Sequence, residues 1–256
     1  MHAWISGARL SQLPPPPNDA EELFATQQAI AEHPLIEERL GGLGGYKLGG
    51  AFAVAGEPCL WAPLFKHFIC REPGKKLSAR TIGLAAIEPE VAVIIGRDLF
   101  PRADGRPHSV DDVWKAVDRV ALIFEVCGKR LTPAACEGAP KIGTLADTLS
   151  SGGIVIGTSW AMSEGKLSSN DVSKIEVELI VNGAKIAKGS TSLCPMGGPA
   201  EAVTYLANHL NARGMRLKQG ELVATGQACN TKKLAVGDVI QATFGGLGSI
   251  EMVIQP

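Results

Sequence analysis

The chain has 256 residues, 45% hydrophobic and 20% charged, long enough for one large domain or two modest ones with a substantial core. Lys and Arg total 25 against 26 acids, a formal charge of −1, which excludes the basic footprint of a nucleic-acid binder. The six cysteines, at 59, 70, 127, 136, 194 and 229, form neither a C-x-x-C pair nor a zinc-ligand spacing and read as reduced structural thiols.

Met1 to Ser6 carries no basic-then-apolar leader, and no later apolar run approaches membrane-spanning length, so a cytoplasmic location and no membrane partner are expected. The Pro14 to Pro17 run ends an irregular arm. Asn18 or Asp19 then caps a helix running to about Leu40, with Glu21 and Glu22 favouring its dipole and Pro34 breaking or kinking it. Residues 41–50 place six glycines around Lys47; glycine lets a backbone approach a ligand closely, so this stretch is expected to be a substrate loop. It has no G-K-[ST] ending and no G-x-G-x-x-G lead-in, which argues against a nucleotide.

Apolar runs at 91–95, 120–126, 153–157, 175–181, 221–225, 238–244 and 249–254 predict strands. Asn182-Gly183 is a two-residue hairpin signal. Ser109 with Asp112 approximates a capping box, and Pro199 opens a helix that carries Ala202, Val203, Leu206 and Leu210 on one face and stops at Gly214. The pattern predicts an α+β protein: a small mixed N-terminal region over 1–80 and a strand-rich core over 81–256 that closes into a rolled or barrel-like mixed sheet.

Glu88 and Glu90 stand two apart at the mouth of a strand, so their carboxylates share a face. Alone, Glu88-Pro89-Glu90 reads as a solvated strand entry. Glu125 changes this, because it interrupts the apolar run Val120–Val126, and a buried carboxylate needs a partner. Three carboxylates with open positions suit a hard divalent ion, Mg²⁺ or Mn²⁺. Lys47 reads either as a surface lysine or as an ammonium meeting an anionic oxygen. His67 reads either as an ordinary imidazole or as a proton-transfer group. Ser150-Ser151-Gly152-Gly153 reads as a turn, and the absence of a G-x-S-x-G elbow disfavours a serine hydrolase.

From about residue 35 onward the chain resembles the fumarylacetoacetate hydrolase superfamily, in its hydratase and decarboxylase branch. The resemblance rests on Gly45-Tyr46-Lys47-Leu48-Gly49, Glu88-Pro89-Glu90-Val91-Ala92, Gly96-Arg97-Asp98-Leu99 and Glu125-Val126-Cys127-Gly128-Lys129-Arg130. It continues through Ala146-Asp147-Thr148-Leu149-Ser150-Ser151-Gly152, Met196-Gly197-Gly198-Pro199, Ala224-Thr225-Gly226 and Phe244-Gly245-Gly246-Leu247-Gly248-Ser249. It implies that Glu88, Glu90 and Glu125 bind the metal, that Lys47 is the active-site lysine, and that Ser150 and Thr225 contact substrate. His67 stands at the place of the aspartate that partners the lysine, Thr148 at that of an asparagine, and Gly198 at that of a histidine.

The resemblance implies a magnesium- or manganese-dependent enzyme, a homo-oligomer acting on a small 2-oxo acid. Its reaction would be hydration of a 2-hydroxydienoate through a metal-stabilised enolate, with Lys47 moving a proton and His67 as relay. Decarboxylation of a 2-oxo diacid and hydrolysis of an acylpyruvate are the alternatives within that chemistry. From another class, the chain would be a silent homologue that only binds an oxo acid.

Overall fold

The computed structural model describes residues 2–50, 54, 56–70, 83–165, 167–229 and 234–256. Asp19 caps the helix Ala20–Ala31, its carboxylate accepting the Glu22 N–H at 2.9 Å. Pro34 does not kink this helix; it begins a new one, Pro34–Leu40, capped by the His33 ring and ended by Gly41 at φ +71°. Proline at the first helical position costs nothing, because its missing N–H has no intrahelical partner there.

Eleven strands follow among the described residues: β1 Leu43–Gly49, β2 Leu60–Phe65, β3 Ile69–Cys70, β4 Leu84–Ile95, β5 Val117–Gly128, β6 Ser151–Ala161, β7 Glu176–Val181, β8 Ala184–Ser190, β9 Leu222–Ala224, β10 Val239–Phe244 and β11 Gly248–Val253. Seven form a curled mixed sheet in the order β2-β1-β9-β4-β5-β6-β3, and four form an antiparallel sheet, β11-β10-β7-β8. This is the rolled α+β architecture that the strand pattern predicts. β11 crosses β6 at Gly157, where a Cβ would stand 2.8 Å from Ile250 Cγ1.

The glycine-rich segment departs from expectation. It is not a loop but β1, antiparallel to β2 and parallel to β9. Its glycines serve backbone proximity between strands: a Cβ on Gly45 would lie 1.8 Å from the Leu222 carbonyl oxygen. β1 and β2 thus share a sheet with strands from the far end of the chain. The expected boundary at residues 80 and 81 lies outside the described residues.

Strand periodicity gives the large sheet two different faces. One bears Ile87, Val91, Val93 and Ile95 of β4 with Leu122, Phe124 and Val126 of β5, and packs in the same core as Ala202, Val203, Leu206 and Leu210 of the helix Pro199–Ala212. The inner face carries a smaller cluster that includes Ala92, Ile94, Ala121, Ile123, Ile154, Leu222 and Ala224. By the same period Glu88 and Glu90 stand in the row of Ala92 and Ile94, and Glu125 in the row of Ile123 and Ala121. The small cluster forms an apolar floor beside the carboxylates.

Local signals behave as the sequence predicts. Asn182 and Gly183 turn β7 into β8 with φ of +49° and +80°, and Ser109 and Asp112 cap each other's N–H groups at 3.2 and 3.0 Å. Cys59, Cys127, Cys136, Cys194 and Cys229 are in no disulfide. Among the described residues no helix is long and apolar enough to cross a membrane.

Candidate metal and active site

The antiparallel register of β4 and β5 sets Glu88 directly opposite Glu125, with Glu90 opposite Ile123. β4 begins at Leu84, so the Glu-Pro-Glu segment lies inside the strand and not at its entrance. Ligand-capable oxygens of Glu88, Glu90 and Glu125 all lie within 4.8 Å of one another. Glu90 and Glu125 are fully buried and Glu88 is half-buried. Glu90 Oε2 accepts the Gly226 N–H at 2.9 Å, while its Oε1 has no hydrogen-bond partner.

Crowding three carboxylates out of water is unfavourable, and the acidities of Glu90 and Glu125 record it. Burial, then the neighbouring Glu125 and Glu88, hold the Glu90 carboxyl well above the usual range. Burial pushes Glu125 up to about 7, although Lys47 opposes the shift. One ammonium therefore does not neutralise the group. The orphaned Glu90 oxygen and the all-carboxylate donor set fit a hard divalent cation.

Lys47, on β1, is buried with its ammonium ion-paired to Glu125 Oε1 and donating to the Leu149 carbonyl at 3.1 Å. The row across the sheet from Lys47 reads Ala224 and then Ala92, small side chains that leave room for the lysine stem. Burial alone would lower its pKa, but Glu125, Cys127 and Glu88 outweigh burial and hold it above the ordinary value. In this arrangement Nζ carries its proton.

The carbonyl that Lys47 meets comes from an unusual turn. Thr148, Leu149 and Ser150 have φ of +45°, +49° and +59°, and each left-handed L-residue costs roughly 1–2 kcal/mol. Arg130 opposes that cost: its Nε donates to Asp147 Oδ1 at 2.7 Å, its backbone N–H to Oδ2 at 2.9 Å and Nη2 to the Asp147 carbonyl at 3.1 Å. Nη1 reaches the Ser151 carbonyl, and the guanidinium lies 4.1 Å over the Trp4 ring. Behind the turn, a mainly apolar cavity of ≈ 190 Å³ is bounded by Trp4, Leu10, Leu13, Arg130 and Asp147; Glu88, Glu90 and Glu125 do not line it.

The other expected site residues fall in different places. Thr225 is buried with its hydroxyl donating to the Val91 carbonyl at 2.7 Å, which fixes the chain crossing that brings the Gly226 N–H to Glu90. Ser150 is half-buried in the left-handed turn, its N–H donating to the Asp147 carbonyl at 2.8 Å.

His67 is not brought to Lys47. It is exposed on a 3₁₀ turn after β2, edge-on to Phe68 with centroids 5.0 Å apart, and neither a hydrogen bond nor an ion pair joins it to Lys47. Lys47 pairs with Ala62 and Leu43 with Phe65, so the turn begins roughly 10 Å down the strand from Lys47 at about 3.3 Å per residue.

Gly198 precedes the helix Pro199–Ala212, where a Cβ would stand 2.6 Å from Ser173 Oγ. Arg130, Asp147, the Leu149 carbonyl and the Gly226 N–H were not singled out by the sequence. They lie within the motifs that carry the resemblance, at Lys129-Arg130, Ala146 to Gly152 and Ala224-Thr225-Gly226, which gave them no role of their own.

The profile of the family described as fumarylacetoacetate (FAA) hydrolase C-terminal matches residues 69–255. The TodF product hydratase of Pseudomonas putida is 27% identical over 237 residues, covering 91% of this chain and 83% of that protein. A 2-keto-4-pentenoate hydratase of Paraburkholderia xenovorans is 30% identical over 164 residues, 64% of this chain and 56% of that protein's length. Among solved structures, 4-oxalocrotonate decarboxylase from Pseudomonas putida G7, complexed with magnesium and adipate, shares the fold with a TM-score of 0.79 at 21% identity, covering 99% of this chain and 93% of that one.

Proposed function

Because the chain belongs to the fumarylacetoacetate hydrolase family, we propose that it is a divalent-metal-dependent hydratase that adds water to a 2-hydroxydienoate or its 2-oxo-alkenoate tautomer, giving a 4-hydroxy-2-oxo acid. The observation that carries this reading is the buried set of Glu88, Glu90 and Glu125 with the Lys47 ammonium against it. The names of the hydratases that the chain resembles support the same reading.

Glu88, Glu90 and Glu125 would hold Mg²⁺ or Mn²⁺. What a divalent cation supplies there is positive charge beside an oxygen that becomes negative during reaction. Lys47 Nζ, protonated and fixed at both ends, supplies the mobile proton to C5 as the dienol ketonises to a 2-oxo-3-enoate, and the proton lost from the substrate's 2-hydroxyl returns the balance. Water then adds its oxygen to the alkene carbon distal to the oxo group and its proton to the proximal one. The Ser150 hydroxyl, beside Leu149, would orient the substrate. Thr225 acts one step back, through the Val91 carbonyl and the Gly226 N–H. The apolar floor of Ala92, Ile123 and Ala224 excludes water beneath the carboxylates. His67 has no part in this route, because it is exposed and unconnected to Lys47. Catabolism of aromatic compounds, a cytoplasmic location and a homo-oligomeric state belong to the same proposal.

Incubation with Mg²⁺ and 2-hydroxypenta-2,4-dienoate, 4-oxalocrotonate, oxaloacetate and acetylpyruvate separately, with product identification, tests it. A 4-hydroxy-2-oxo acid from the first supports hydration. Release of CO₂ from the second or third, or cleavage of the fourth, replaces it with decarboxylation or acylpyruvate hydrolysis, and no product from any substrate leaves a silent homologue.

A further inference from the structure

The two ends of the Lys47 ammonium are held differently. Glu125 belongs to β5 and is fixed by the sheet, whereas the Leu149 carbonyl belongs to a turn in which three consecutive non-glycine residues are left-handed. A turn of that kind persists only where its surroundings over-determine it. Here they consist mainly of one side chain. Arg130 directs Nε, Nη1 and Nη2, together with its own backbone N–H, onto the five residues 147–151. Trp4 covers the guanidinium at 4.1 Å and keeps it from swinging out. Arg130 follows β5 by two residues and Ser151 begins β6, where it pairs with Cys127. The clasp therefore ties the turn to the same strand pair that carries Glu125.

We propose that Arg130 and Asp147 are a positioning pair for Lys47: the ion pair holds the Asp147–Ser150 turn so that the Leu149 carbonyl fixes the ammonium beside Glu125. Neither residue touches the reacting atoms, so both act through Lys47. A merely structural pair would lower stability without changing Lys47. The two roles predict different measurements. This inference deepens the hydratase reading and rests on it for its kinetic arm alone.

The test uses the full chain carrying Asp147→Asn, which keeps the shape and removes the charge, and Arg130→Lys, which keeps the charge and removes the fork. Reductive methylation followed by mass spectrometry reads how far Lys47 is protected, and needs no substrate. Kinetics on the best substrate read the split between kcat and KM. Both variants should expose Lys47 to methylation and lower kcat by about ten- to a hundredfold, the scale of residues that orient a site from behind, with KM and Mn²⁺ affinity close to wild type. Arg130→Gly with added methylguanidinium should recover part of the lost protection. Protection of Lys47 equal to wild type in both variants would overturn the proposal, whatever happens to kcat or Tm; so would a raised KM at unchanged kcat. If no substrate is turned over, the hydratase reading fails and the labelling alone decides this one.

Discussion

Lys47 is buried with its ammonium against the carboxylate cluster of Glu88, Glu90 and Glu125. Its ammonium sits between Glu125 and the Leu149 carbonyl, residues 78 and 102 positions away in the chain. Lys47→Met keeps most of the stem and removes the proton; kcat should fall by about 10²- to 10⁴-fold, the range for a lost general acid or base, while KM changes little. Unchanged turnover with a raised KM would reduce Lys47 to a binding group.

His67 shows the opposite. Its place between Lys47 and Glu88 in the sequence suggested a relay, but β2 carries it beyond the far end of β1 onto an exposed turn. His67→Ala should reproduce the wild-type dependence of activity on pH, and a changed pH profile in the variant would restore the relay.

At the scale of elements, the period-2 rows told which carboxylates share a face, because alternation along a strand is a local property. The strand character of residues 43–49 was hidden, since glycine favours loops in isolation and its use here is fixed by a strand 177 residues further on, Leu222 against Gly45. Gly45→Ala should destabilise the protein by about 1–3 kcal/mol, the usual cost of overpacking, read as a lowered denaturation midpoint. Full stability would mean that β1 and β9 are not in close contact.

A second link joins helix to sheet: Trp61 Nε1 on β2 donates to His209 Nδ1 at 2.8 Å, with Phe24 of the helix Ala20–Ala31 stacked on Trp61. Burial, then Arg213, holds His209 down at about 4. The unfolded chain thus binds more protons than the native one between about pH 6.5 and 4, so His209 removes stability progressively as pH falls through that window. His209→Gln, whose amide oxygen accepts from Trp61 without titrating, should flatten the slope of unfolding free energy against pH over that range. Parallel wild-type and variant curves would contradict this.

The molecule as a whole is a curled sheet with a wide apolar core on one face and a narrow one on the other, where the carboxylates stand above the apolar floor. The α+β class, the rolled sheet and the crowding of Glu88, Glu90 and Glu125 were legible because each follows from strand periodicity and from one charged residue in an apolar run. The Arg130–Asp147 clasp was not, because a pair 17 positions apart acquires meaning only once β5 and β6 are folded together. Calorimetric titration of the metal-free protein and of Glu125→Gln with Mn²⁺ tests the central claim most directly. The account predicts one site in the wild type and at least about tenfold weaker binding in the variant, the loss expected when a ligand at a metal site is impaired. Equal affinity in the two proteins, or no binding to either, would contradict it.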